Sequence, residues 1–334
     1  MFFSHHEFLW KNICHYSVCS HSSTLKQMSI DHHLSSLNIF SCSLRSFPIS
    51  PIIFIFLLGT ICNILMIATF CKKPTREMGT GIYRLWIAIT GQLGLTVIVI
   101  HLTIDKHFDC RLLCFLFDYL GRAFHNFYDS LTACTALERT FLILQGLAFK
   151  KSSSRWVAKW IVAGLLVYHF LSIIHEPIYG HRHIYLNHSD CYPHLIGNYS
   201  KSISLLQFLL PYLLNLLLPI LWIFKLTESK KKLNSNQSLL ANLKKVLTSY
   251  KFTLISCYTL VLLNSPRFWS ICMSFVNSNQ QESIFILIAY WISLIPMVFS
   301  IFLFVLPSPK YRPELFGLIQ NLLRYRNRMQ YLAH

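Results

Sequence analysis

Acidic residues are scarce in this chain. Thirteen Asp and Glu stand against 30 Lys and Arg in 334 residues, and charged residues of both signs make up only 13%. A water-soluble domain carries about 25%, because its outer surface must be solvated. Glycine is scarce as well, at 11 residues, where a collagen triple helix needs roughly one in three. The chain also lacks a Gly-x-x-x-x-Gly-Lys-Ser/Thr phosphate loop, a His-Glu-x-x-His metal pair and a Gly-x-Ser-x-Gly nucleophile turn. These absences exclude a collagen, a disordered tail and a cytosolic enzyme.

What is plentiful is apolar. Hydrophobic residues make up 54% of the chain and aromatic residues 15%. The formal charge of +17 would suit a nucleic-acid binder if the basic residues formed one patch. They fall instead in short clusters between long apolar runs, so nucleic acid is not expected as a partner. Clusters so interspersed fit the cytoplasmic loops of a multi-pass membrane protein.

A helix needs about 20 apolar residues to cross the hydrocarbon core. Seven stretches qualify, at residues 50–71, 82–104, 112–144, 156–179, 203–225, 250–276 and 283–306. The expected fold is all-α, a seven-helix transmembrane bundle over 50–306. An extracellular arm, 1–49, precedes it, and a cytoplasmic amphipathic helix with a basic tail, 307–334, follows.

Basic residues set the orientation. Lys72, Lys73 and Arg76 follow the first span, Lys150, Lys151, Arg155 and Lys159 cluster before and at the start of the fourth, and seven lysines from Lys225 to Lys251 separate the fifth from the sixth. Lys310, Arg312, Arg324, Arg326 and Arg328 follow the seventh, while the alternate connections hold only Lys106, Arg111, Arg182 and Lys201. This bias places the N-terminus outside and the C-terminus inside. The sequons at Asn187 and Asn198 then fall on the outer side, as glycosylation requires, and a third at Asn236 falls inside. An odd span number without internal repeat argues against most secondary transporters.

The arm holds Cys14, Cys19 and Cys42 with six histidines, at spacings that match no standard zinc site. No metal or cofactor is expected. No secretory leader pattern is read, and Met28 is an alternative start. In the tail, Leu315, Leu318, Ile319 and Leu322 recur at helical spacing ahead of three arginines, the pattern of a helix lying on a lipid surface.

The third span is the most polar. Asp118, Arg122, His125 and Asp129 recur at steps of four, three and four, so they share one helical face. Ionisable groups inside a bilayer face a cavity or a partner. Asp118, Arg122 and His125 are therefore candidate ligand-binding residues, with Arg122 suited to a carboxylate. A structural Asp118–Arg122 pair is the competing reading, and Asp129 reads as structural or protonated.

The same span carries a wider pattern. Cys114 lies 25 positions before Arg139, which sits in Glu138-Arg139-Thr140. Asn63 in the first span, Trp160 in the fourth, and Pro211, Pro266 and Pro296 in the fifth, sixth and seventh complete an ordered set. This set resembles the rhodopsin-like G-protein-coupled receptors, over the whole membrane portion. The resemblance implies a plasma-membrane receptor that couples an extracellular ligand to heterotrimeric G proteins, and not an enzyme. It implies a Cys114–Cys191 disulfide, with Cys110 as competitor to Cys114. It also implies a switch in which Arg139, paired with Glu138 at rest, is freed as helices hinge at Pro266 and Pro296.

The departures are specific. Ile295-Pro296-Met297-Val298-Phe299 replaces the family's Asn-Pro-x-x-Tyr, Asn264 stands at the sixth-helix tryptophan position, and Gly91 stands at the second-helix aspartate position. The family's internal sodium site is accordingly not expected. Gly121 at the amine-binding aspartate position and Ala289 at the retinal lysine position argue against amine and light receptors. A peptide, lipid or small organic ligand remains, with a peptide preferred. A seven-span ion channel or chemosensory channel subunit is the alternative. An intramembrane hydrolase using His101, Asp105 and His107 is a third reading.

Overall fold

A computed structural model of the chain describes residues 49–77, 79–104, 111–145, 150–174, 198–233, 239–276, 283–309 and 311–333. Every regular element among them is helical. The α-helices are α1 Ile49–Cys71, α2 Gly79–Ile104, α3 Arg111–Gln145, α4 Lys151–Ser172, α5 Asn198–Leu233, α6 Leu239–Val276, α7 Ser283–Val298, α8 Ser300–Phe304 and α9 Arg312–Ala333. Three contain stretches long and apolar enough to cross a membrane among the described residues: Ile53–Cys71, Gly79–His101 and Leu205–Ser229.

Local chemistry sets the helix ends. α1 gives way at Lys72 to a 3-10 turn, Lys73–Arg76, with Pro74 in it. The Thr75 hydroxyl faces the Thr69 carbonyl of the last turn of α1 at 3.0 Å and the Lys72 carbonyl at 2.7 Å. Two glycines then let α2 begin. A Cβ on Gly81 would collide with the Thr75 carbonyl, and one on Gly79 would sit 2.6 Å from Glu138 Oε1.

Pro211 and Pro219 lie within α5 and Pro266 within α6, and both helices continue through them. Pro266 cannot donate to the Leu262 carbonyl four residues back. The Ser265 hydroxyl donates to that carbonyl instead, at 2.7 Å. The seventh expected span behaves differently, because the helix stops at Val298, Phe299 leaves helical geometry, and α8 resumes at Ser300. Pro296, three residues earlier, weakens this stretch by its missing N–H. The Tyr128 hydroxyl of α3 donates to the Pro296 carbonyl at 2.9 Å, fixing the broken region against the bundle.

The apolar core is built chiefly from α1, α2, α3 and α7. Met66, Phe70, Ile87, Phe127, Leu131, Met297 and Val305 are almost wholly buried. Polar pairs tie these helices together: Ser300 Oγ to Asn63 Oδ1 at 2.6 Å, and Gln92 Nε2 to Thr60 Oγ1 at 3.1 Å. Gly91 packs beside Asn63 and the Met297 carbonyl. Tyr311 and Leu315 seat α9 in the same core, and Lys72 Nζ reaches Glu314 Oε2 at 2.9 Å.

The outward faces remain apolar. Leu206, Leu210, Leu213, Leu217, Leu221 and Phe224 form an exposed stripe along α5. Trp156 and Trp160 stand exposed on α4, their rings edge to face at 5.9 Å. Exposed leucine and tryptophan in such rows are hard to solvate and suit a lipid surround.

Candidate functional site

The polar residues of α3 meet their partners along a buried seam. Asp129 Oδ2 lies 3.2 Å from Arg267 Nη1, which belongs to α6 and directly follows Pro266. A second guanidinium nitrogen lies 3.4 Å from Asn126 Oδ1. The Phe208 ring of α5 lies 4.7 Å from the same guanidinium carbon. A planar cation over an aromatic face gains attraction from the ring quadrupole, more so away from water. Asn264 lines the same small cavity as Asp129, and His125 Nε2 stands 3.6 Å from the Asp129 carboxylate, one helical turn earlier.

The seam continues on both sides. Asn126 Nδ2 donates to Gln207 Oε1 at 2.8 Å, and Gln207 Nε2 donates to the Ser172 hydroxyl of α4. Ser130 Oγ and His169 Nε2 join α3 to α4 at 2.8 Å. Asn215 Nδ2 of α5 donates to Thr132 Oγ1 at 3.1 Å. Asp129, Asn126, Ser130, Thr132, His169, Gln207, Asn215 and Asn264 are all buried. Four helices are thus bonded through groups that would be costly to leave unpaired.

A small cavity borders the ion pair, lined by Asp129, Phe208, Pro211, Tyr212, Asn215, Leu260, Val261 and Asn264. The space open to the centre of a water molecule is about 10 Å³. Tyr212, one of the lining residues, stacks on Phe268 at 5.0 Å with nearly parallel rings.

A second constellation, at Glu138 and Arg139, lies roughly 14–15 Å further along α3 from Asp129 at the usual helical rise. Glu138 accepts a hydrogen bond from the Ser154 hydroxyl at the start of α4. The Gly79 N–H donates to the same Ser154 oxygen at 3.1 Å. One hydroxyl therefore joins α2, α3 and α4. Arg139 lies within electrostatic range of Cys257 on α6 and of Tyr311. Near Tyr311, Arg84 is buried with its guanidinium 4.7 Å from the Tyr311 ring and 5.9 Å from that of Phe70.

The sequence-derived candidates distribute as follows. His125 is buried beside Asp129, and Arg122 is half-buried on α3. Asp118 and Cys114 belong to α3, but their side chains lie outside the described residues, as do Cys191, Asn187, Asp105 and His107. Asn198 is the first residue of α5. Pro266 and Pro296 lie in α6 and α7. Among the described residues, no three His, Cys, Asp or Glu side chains cluster closely enough to hold a metal.

Arg267 is the group that sequence reasoning missed. Its signal was present, a lone arginine beside a proline within an apolar stretch. Arg84 carried the same signal in the second stretch. No family model matches the chain, and no curated protein matches it.

Proposed function

We propose that this chain is a seven-span plasma-membrane receptor that couples an extracellular ligand, most readily a peptide, to heterotrimeric G proteins. The observation that carries this reading is the buried Asp129–Arg267 pair. It holds α3 to α6 at the turn bearing Pro266, while α3 runs on to Glu138 and Arg139. An event at the ion pair can therefore reach Arg139 through one rigid helix. A ligand that prefers the state with the pair broken would shift the population toward it, by no more than its differential affinity for the two states.

In this reading Asp118, Arg122 and His125 contact the ligand on the outer part of α3. Cys114 and Cys191 form the bridge that holds the outer loop to that helix. Separation of α6 from α3, hinged at Pro266 and aided by the break after Pro296, opens a cleft at Arg139 for a G-protein helix. Glu138 is held at rest by the Ser154 hydroxyl, in place of the Glu138–Arg139 ion pair that the resemblance implies. The exposed leucine stripe of α5 and the tryptophans of α4 face lipid, and α9 lies along the inner surface.

The test is expression of the full chain in cells with sensors of G-protein dissociation, beside Arg139→Ala at matched surface level. The reading expects basal dissociation above the empty-vector level, lost in the variant. A signal that Arg139→Ala leaves unchanged removes Arg139 from its role. Agonist-independent ion currents without G-protein dissociation favour the channel alternative.

A further inference from the structure

Arg267 is the accessible member of the Asp129–Arg267 pair, 19% exposed against 7% for the aspartate. The burial pattern of α6 gives the side. Leu254, Cys257, Leu260 and Asn264 are buried at steps of three, three and four, and Arg267 follows three residues on along the same face. Ile255, Tyr258, Leu262 and Trp269 are exposed on the other face. The accessible part of Arg267 therefore lies toward the bundle and not toward the surround. On α3 every residue from His125 to Ala133 is buried, whereas Leu120, Gly121, Arg122 and Phe124 are half-buried. Accessible space thus opens beside the ion pair toward the Arg111 end of α3, the end that the receptor reading puts outside.

Guanidinium groups set the chemistry of that opening. Arg267 reaches Asp129 Oδ2 at 3.2 Å and Asn126 Oδ1 at 3.4 Å. Arg122 stands one turn before Asn126 and two before Asp129 on the same face of α3, about 6 Å outward of Asn126 at the usual rise. Among the described side chains, an approaching group therefore meets Arg122 and Arg267 before the more deeply buried Asp129. That order admits an anion and not a cation. The Phe208 ring, 4.7 Å from the Arg267 guanidinium carbon, holds the guanidinium in place, so little ordering is left for a guest to impose.

We infer that this opening binds the carboxylate of the extracellular ligand, and that the bound carboxylate competes with Asp129 for the Arg267 guanidinium. The inference rests on the receptor reading and names its ligand class. A carboxylate has the charge and shape of the group that Arg267 already binds, and it meets a guanidinium fork with two parallel hydrogen bonds. A phosphate dianion would bring a second negative charge beside Asp129, where unpaired charge is costly.

Competition for one guanidinium couples binding to the helices. Asp129 belongs to α3 and Arg267 to α6, so a carboxylate that takes the fork loosens the bond between them. The ligand then favours the state with the pair parted. His125 Nε2, 3.6 Å from Asp129 Oδ2 on the same helix, is placed to take over the aspartate. The coupling is reciprocal, so a change that weakens the hold of Asp129 on Arg267 must tighten ligand binding. Asp129→Asn is such a change, and its effect on affinity separates competition from an ion pair that only holds the fold.

The test uses the full chain in detergent with millimolar 3-phenylpropionate, its amide and 3-phenylpropylamine, and the tripeptide Ala-Leu-Phe with a free or an amidated C-terminus. Thermal midpoints report binding. At least one free acid is expected to raise the midpoint by about 2 °C or more, while the amides and the amine do not. Whether the small acid suffices or the peptide acid is needed tells which source of carboxylate the opening takes. The rise is expected to vanish in Arg267→Gln, and the affinity for the acid to increase several-fold in Asp129→Asn. Equal shifts with acid and amide, no shift with either acid, a shift that Arg267→Gln keeps, or unchanged affinity in Asp129→Asn would each overturn the inference. If a variant fails to fold, the acid and amide compared on the unaltered chain decide alone. In cells, a binding acid that evokes no G-protein dissociation would remove the receptor reading and leave the site. Dissociation evoked equally by acid and amide would remove the site and leave the reading.

Discussion

Asp129 of α3 and Arg267 of α6 form an ion pair across the bundle, Oδ2 to Nη1 at 3.2 Å, one residue beyond a proline. The aspartate side chain is 7% exposed and the arginine 19%. Burying both charges is costly, and the pair offsets that cost only while its geometry holds. Asn126 and the Phe208 ring supply the further contacts that make it hold. Such a pair contributes less to net stability than to choosing one arrangement of α3 and α6. Removing either partner strands the other, at a cost of about 3–5 kcal/mol.

The orientation of the chain is open to a direct check. Glycan mapping in cells is expected to find sugar on Asn187 and Asn198, lost in Asn187→Gln and Asn198→Gln, and none on Asn236. An unglycosylated chain whose 225–251 segment is reached by antibody on intact cells would invert the topology and remove the receptor reading.

The Ser154 hydroxyl bonds Glu138 and takes the Gly79 N–H. Ser154→Ala is expected to cost about 1 kcal/mol by leaving the carboxylate oxygen without that donor. Gly79→Ala places a methyl 2.6 Å from Glu138 Oε1 and 2.7 Å from Ser154 Oγ, so it should cost more, about 1–3 kcal/mol. Thermal midpoints of the purified variants give the order, and a Gly79→Ala chain as stable as wild type would contradict it.

Lys72 and Glu314 are each about a third exposed, so their ion pair is worth at most about 1 kcal/mol. Lys72 Nζ also reaches the Glu314 carbonyl at 3.0 Å, holding the first turn of α9 to the end of α1. Lys72→Ala should therefore speed amide exchange in the first turns of α9 while leaving the global midpoint almost unmoved. Unchanged exchange there would show that Tyr311 and Leu315 suffice to dock the helix.

Arg84 is buried, and its Nε and Nη1 meet no described acceptor. The Tyr311 and Phe70 rings are its compensation. Arg84→Met keeps much of the packing and removes a buried charge, so it is expected to raise the midpoint by about 2–4 °C. A lowered midpoint would show that the cation is worth more than its desolvation costs.

Much of the helical plan was legible because apolar runs are long and their ends are marked. α1, at Ile49–Cys71, and α2, ending at Ile104, lie within a few residues of the expected 50–71 and 82–104. α9 runs from Arg312 to Ala333, through the three arginines of the basic tail, since Gln320 to Met329 holds mostly good helix formers and no glycine or proline. The break at Phe299 was not legible. A proline alone does not say whether a helix bends or stops, as Pro211, Pro219 and Pro266 show by remaining within theirs. The charge of Asp129 was visible in the sequence, but its partner was not. Pairing depends on the relative rotation of α3 and α6, and periodicity fixes the face of each helix without fixing which faces meet.

The most direct measurement is basal G-protein dissociation in cells expressing Asp129→Asn, Arg267→Gln and the double variant at matched surface levels. If the pair holds α3 to α6 at rest, each single variant raises basal signal several-fold. The double variant then signals no more than the stronger single, since both remove one contact, and adding Arg139→Ala returns the signal to the vector level. Single variants that signal as the parent does, or a raised signal that Arg139→Ala leaves intact, would contradict the account.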